Sequence, residues 1–210
     1  MKINPRVIIS CACLAATLAI GTSAVAQNLL VDPGFETQTG WTLFNGAAYS
    51  QAYAHSGNWS MFDGTVNNVP GSYEQFPASA GMQFDLTGYG MTPTALAGSP
   101  AFGILQVSYF DSSGNNLGTV ETSPGNAKTS AQINGGTTSG AWTFLDTGVA
   151  TAPANTASIE AFTLYVDFSG NNQGVYFDDL SLVQVPEPSA LVLLGLGGLM
   201  GVWARRRQSR

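Results

Sequence analysis

The chain has 210 residues, of which 10% are charged, with 7 Lys and Arg against 13 Asp and Glu; a soluble domain usually carries roughly 25% charge. Six of the seven basic residues sit at the two ends, so the stretch from Gln27 to Val185 holds twelve acids and a single base, Lys128, a formal charge of −11. That balance repels a phosphate backbone, and nucleic acid is excluded as a partner.

Residues 1–26 join Lys2 and Arg6 to an apolar run from Val7 to Ile20 and end in Ala24-Val25-Ala26. This is the layout of a secretory signal cleaved before Gln27. A retained anchor is the alternative, but the run is shorter than the ~20 residues a span needs. Both cysteines, Cys11 and Cys13, fall inside this segment. The exported body is therefore expected to hold no disulfide and no thiolate metal site, and its one histidine, His55, excludes zinc sites built on several imidazoles.

Residues 27–185 are enough for one domain with a sizeable core. Breaker clusters such as Asp111-Ser112-Ser113-Gly114, Asn134-Gly135-Gly136 and Ser169-Gly170-Asn171 separate short apolar runs. Period-two alternation is the dominant signal. Met82, Phe84 and Leu86 share one face, Leu105, Val107 and Tyr109 another, and Phe162, Leu164, Val166 and Phe168 a third. In a last strand Tyr176, Asp178, Leu180 and Leu182 are expected to alternate with Val175, Phe177, Asp179 and Ser181. Several short strands at this spacing predict an all-β, antiparallel sandwich, and the 10% aromatic content argues against a disordered low-complexity tract.

The C-terminus reads Val185-Pro186-Glu187-Pro188-Ser189, then an apolar run from Ala190 to Ala204, then Arg205-Arg206-Arg207. This order resembles the PEP-CTERM sorting signal of exopolysaccharide-producing Gram-negative bacteria. A helix of about 15 residues covers ~22 Å, and the arginines stay cytoplasmic by the positive-inside rule, so a short transmembrane helix is expected over the apolar run 190–204 within a sorting signal that spans 186–210. The resemblance implies recognition by an exosortase-type transpeptidase near Pro186, Glu187 and Pro188. It also implies transient anchoring in the inner membrane, then passage to the cell surface or extracellular matrix. A plain C-terminal membrane tail is the alternative.

The body carries a second resemblance. Asn28 to Glu36 with Gly40-Trp41, Ala54 to Met61, Ala80 to Leu86, Val107 to Gly114 and Val175 to Leu182 occur in the order of the galactose-binding-like jelly rolls. They are similar in particular to the carbohydrate-binding module 4/9 type. In that family the first-strand Glu and last-strand Asp often meet beside a Ser-Gly turn at a structural calcium, which nominates Glu36 and Asp178, with Asp179 as the alternative if the strand phase shifts by one. Calcium takes six to eight hard oxygen ligands. The bland alternative has these carboxylates facing solvent or capping a turn.

Sugar recognition uses aromatic faces flanked by amides and carboxylates. The candidates are Tyr49, Gln51 and Tyr53, on one expected period-two face, together with Trp59 and Tyr73. Each aromatic also has a packing role as its alternative. No nucleophile-elbow sequence surrounds a serine and no phosphate-cradling glycine loop opens a helix, so the chain is not expected to be an enzyme. The expected function is an exported surface or exopolysaccharide-matrix protein whose body binds carbohydrate. A structural or adhesive surface protein without a sugar pocket, and a small extracellular hydrolase, are the alternatives.

Overall fold

The computed structural model describes residues 27–64, 68–96, 98–122, 132–170 and 173–186. The expected signal at 1–26 lies outside them, as do Glu187, Pro188, the apolar run and Arg205, Arg206 and Arg207. Among the described residues no helix is long and apolar enough to cross a membrane.

The described chain forms strands and turns without a helix. One sheet runs in the order β1 (Thr42–Phe44), β4 (Gly71–Pro77), β10 (Ser158–Val166), β6 (Phe102–Phe110) and β7 (Asn116–Glu121). The other runs β2 (Ala48–Ser50), β3 (Ser60–Gly64), β11 (Gly174–Val185), β5 (Gln83–Met91) and β8 (Thr143–Asp146), with β9 (Ala150–Thr151) also pairing with β5. All pairings are antiparallel. The expected all-β antiparallel sandwich is the observed fold.

Alternation explains why these segments are strands with one buried face. Leu105, Val107 and Tyr109 of β6 point inward beside Ile159, Ala161 and Tyr165 of β10. Phe84 and Leu86 of β5 meet them from the other sheet with Val175, Phe177, Leu180 and Leu182 of β11. Such a core supplies the apolar burial that drives folding. The chain start is tied to its end: Asn28 bridges to Val183, its side chain accepts from Leu182 N at 3.0 Å, and Leu29 N donates to Leu182 O at 2.8 Å.

The expected strict alternation in β11 fails at one point. The pairing of β11 with β5 shifts between Asp178 and Ser181, and Asp179 takes φ 48°. This bulge changes the phase, so Phe177 and Leu180 both face the core. Gly88 of β5 makes room for it, since a Cβ there would collide with the Leu180 side chain. A bulge costs a ladder position and re-aims the residues beside it.

The core also contains charge chemistry. Asp63 of β3 is fully buried, and neither of its oxygens attains a hydrogen bond of normal geometry. Nearby, Ser72 and Thr163 share a hydroxyl bond at 2.8 Å. Burial pushes the Asp63 carboxyl well above the ordinary range, and Thr163 offsets only part of that. A raised folded pKa means the native state holds a proton that the unfolded chain releases. The stability from Asp63 is therefore full below the unfolded pKa of about 3.9 and is lost as pH rises through the folded value. Denaturant unfolding of wild type and Asp63→Asn from pH 4 to pH 8 checks this: wild type loses stability relative to the variant as pH rises, and parallel pH curves would refute it.

Candidate functional site

With one lysine in the body, the carboxylates find backbone N–H groups instead of cations. Asp178 Oδ2 accepts from His55 N at 2.7 Å and Ser56 N at 3.1 Å, while Oδ1 accepts from Asp179 N at 2.7 Å. Glu36 Oε1 accepts from Asn58 N at 2.7 Å and Trp59 N at 2.9 Å. Asp179 accepts from Ser56 Oγ at 2.6 Å and pairs with His55 Nδ1 at 2.6 Å. The three acids surround Gly34, and Leu180 N closes the junction on Pro33 O at 2.8 Å. The first loop, the Ser-Gly turn and the β11 bulge are thus fastened together at one place. Burial pushes the Asp178 carboxyl up to about 6, against the pull of its three N–H donors.

As calcium ligands these residues fit in donor class, being hard oxygens with a buried carboxylate among them. Among the described residues no group of three or more His, Cys, Asp or Glu is placed to hold a metal ion. An ion there would complete its shell from backbone carbonyls and water.

The five sugar candidates do not come together. Strand β2 ends at Ser50, so the expected period-two face stops before Gln51, which is exposed in the following loop. Tyr49 turns inward and packs 6.4 Å from Phe35, and burial raises its hydroxyl pKa. Trp59 is half-buried against the core. Tyr53 is 46% exposed on the outer side of the β2-β3-β11-β5-β8 sheet, edge-on to Tyr176 at 5.0 Å. Tyr73 alone lies on the outer side of the other sheet.

That outer side of β1-β4-β10-β6-β7 carries polar side chains aligned in rows across the strands. Register places Thr42, Tyr73, Phe162, Gln106 and Glu121 in one row across the five strands, and Gln75, Glu160, Ser108 and Thr119 in the next. Tyr73, Phe162 and Phe44 form a ring cluster with centroids 5.3 to 6.4 Å apart. Beside it Gln75 Nε2 donates to Glu160 Oε1 at 3.4 Å and Gln106 Nε2 to Ser108 Oγ at 3.0 Å, and Ser108 shares a bond with Thr119 at 3.0 Å. A groove of about 540 Å³ opens at one end, lined by Gln75, Pro77, Phe110, Asp111, Ser158 and Glu160 among others. Its two carboxyls differ: burial raises Glu160, whereas bonds from Asn115, Ser113 and Gly114 lower Asp111.

Sequence reasoning missed Gln106, Ser108, Thr119, Glu160 and Phe162 as a group. In β10 the expected apolar face of Phe162, Leu164, Val166 and Phe168 is the outer phase, shared with Ser158 and Glu160, and Phe168 beyond the strand is 74% exposed, while Ile159, Ala161 and Tyr165 fill the core. The partners on β4, β6 and β7 depend on register between distant segments, which one sequence does not print.

Residues 184–208 match the PEP-CTERM protein-sorting motif. No curated protein matches the chain. Among solved structures, it is similar to the CBM22-1 xylan-binding domain of Paenibacillus barcinonensis Xyn10C, with TM-score 0.50 and 16% identity over 73% of this chain and 92% of that one. It is also similar to an arabinose-bound MgGH51 α-L-arabinofuranosidase, with TM-score 0.55 and 19% identity over 78% of this chain and 27% of that one. The enzymatically active domain of bacteriophage CBA120 tailspike protein 4 gives TM-score 0.53 and 13% identity over 75% of this chain and 21% of that one. The chain thus spans about a fifth to a quarter of the two enzymes, and at these identities the likeness is one of fold.

Hydrogen exchange tests the carboxylate anchoring. In Glu36→Ala the amides of Asn58 and Trp59 lose their acceptor, and their exchange is expected to accelerate about tenfold or more, equivalent to about 1.4 kcal/mol. Amides of β10 should keep their protection, and unchanged protection at Asn58 and Trp59 would count against the anchor.

Proposed function

We propose that the chain is an exported surface protein whose sandwich binds a neutral glycan across the outer side of the β1-β4-β10-β6-β7 sheet. The observation that carries this reading is the side-by-side placement of the Tyr73, Phe162 and Phe44 rings with the Gln75, Glu160, Gln106 and Thr119 track, whose members Gln106 and Thr119 are tied together by the buried Ser108 beneath them. Ring faces pack on the C–H faces of a pyranose, and amides, hydroxyls and carboxylates bond its hydroxyls. The adjoining groove has the size of a small-molecule site. A body at −11 favours uncharged sugars over uronate-rich chains, and the solved relative bearing the words "xylan-binding domain" supports testing xylan first.

In this reading the secretory signal at 1–26 takes the body through the inner membrane of a Gram-negative bacterium, and the sorting motif at 184–208 anchors it there transiently. An exosortase-type transpeptidase acts near Pro186, Glu187 and Pro188, and the body, residues 27–185, reaches the cell surface or the exopolysaccharide matrix. The protein contributes binding and no catalysis. Isothermal titration of the full chain with xylo- and galacto-oligosaccharides tests the face: Gln106→Ala and Tyr73→Ala each weaken binding about tenfold or more, roughly 1.4 kcal/mol. A folded chain that binds none of these sugars would leave a structural surface protein.

Calcium at Glu36 and Asp178 is a separate proposal, drawn from the resemblance and from the shortage of cations around three acids. Binding to the folded state alone raises the melting temperature with free calcium, by about 2.7 kcal/mol at a hundredfold excess over Kd. Chelator reverses it in wild type and has no effect in Glu36→Gln. A melting curve indifferent to millimolar calcium would remove the ion and leave the N–H anchoring intact.

A further inference from the structure

The other sheet presents a differently built surface. Its centre is His55, held from three directions. Its backbone N–H donates to Asp178 Oδ2 at 2.7 Å, its Nδ1 pairs with Asp179 Oδ2 at 2.6 Å, and its ring lies 3.8 Å from that of Tyr89 at an interplanar angle of 16°. Trp142 meets the imidazole edge-on at 5.5 Å, and Phe144 meets Tyr89 at 5.4 Å. Phe144 is 49% exposed although it is a large apolar ring on a strand.

Core packing does not account for this construction. The residues lie on the side of β5 and β8 opposite Phe84, Leu86 and Leu145, which fill the core. The arrangement also carries a cost, because Asp179 sits at φ 48° without being glycine and such backbone is retained where the surroundings enforce it. What results is an imidazole whose Nδ1 is engaged and whose Nε2 is a single directed hydrogen-bonding atom, next to exposed ring surface.

We propose that this surface, formed by His55, Tyr89, Trp142 and Phe144 with Asp179 behind them, is a second saccharide site on the opposite side of the sandwich from the first. A pyranose offers the matching features, a C–H face for Trp142 or Phe144 and hydroxyls for the fixed Nε2. A membrane or an apolar protein partner would want continuous apolar surface, whereas here Asp179 and Ser56 interrupt it. Anionic ligands meet three carboxylates within the same junction, so the occupant is a neutral sugar. The inference rests on the proposed glycan function and deepens it: with contacts on both outer sides, one molecule bridges two polysaccharide chains. Bridging through two linked sites raises avidity without any new contact.

The test uses the full chain, xylohexaose and β-1,4-galactotriose for titration, and soluble xylan for turbidity. Wild type is expected to bind two oligosaccharides per chain and to cross-link xylan. Phe144→Ala and, independently, Trp142→Ala each leave one bound sugar, and turbidity falls at least tenfold; both positions border solvent, and unchanged melting confirms folding. Tyr73→Ala leaves the other sugar. One sugar per chain, lost in Tyr73→Ala and untouched by Phe144→Ala and Trp142→Ala, overturns the second site and keeps the first. One sugar per chain, lost in Phe144→Ala and untouched by Tyr73→Ala, supports the second site and overturns the first. No binding to either oligosaccharide overturns both.

Discussion

A body of twelve acids and one lysine has to satisfy its carboxylates without cations, and the rest of the structure follows from how it does so. Backbone N–H groups take the place of arginines and lysines. Asp178 and Glu36 gather the Ser-Gly turn, Asp32 gathers Thr37 N and Thr39 N, Glu74 Oε2 accepts from Val31 N at 3.1 Å, and Asp111 closes its own turn on Ser113 N and Asn115 N. Bonds of this kind are charge-assisted and directional, so each acid fixes a loop at the end of the sandwich. Glu74 marks the limit of the device. It is buried with one oxygen bonded and the other without a partner, and burial raises its pKa accordingly.

The two sheets spend their outer sides differently. On β1-β4-β10-β6-β7 the polar side chains bond mainly to one another across strands, which holds them ready at fixed spacing and lowers the entropy a ligand must remove. On the other sheet the loop through residues 51–59 folds back over β11 and β5, so that Tyr53 reaches Tyr176 and His55 reaches Tyr89. Asp178 lies beneath this loop. The bulge that re-aims Asp178 and Asp179 therefore serves core and surface together, since the same phase change turns Leu180 inward.

Much of this was legible in the sequence because apolar alternation reports burial directly. The faces of Phe84 with Leu86 and of Leu105, Val107 and Tyr109 point into the core as their spacing implies. The family resemblance nominated Glu36 and Asp178, and both hold the same turn. What the sequence withheld was register and phase. The extra residue at Asp179 leaves no mark in hydropathy, the loop after Ser50 breaks the run from Tyr49 to Tyr53, and the row joining Tyr73 to Gln106 unites positions 33 residues apart in the chain. Such pairings arise from the packing of whole sheets and carry no local signature.

The closing strand has a mechanical meaning as well. Strand β11 is central in its sheet, with β3 on one side and β5 on the other, and it leads directly to Pro186, where the sorting motif continues. Tension applied to the chain beyond that point enters along the strand axis, against ladders on both flanks and against the Asn28 clasp at Leu182. In that shear geometry many hydrogen bonds bear the force at once, whereas a strand peeled from an edge gives them up one by one. A body tethered by this end would resist drag from its surroundings through the geometry of its last strand.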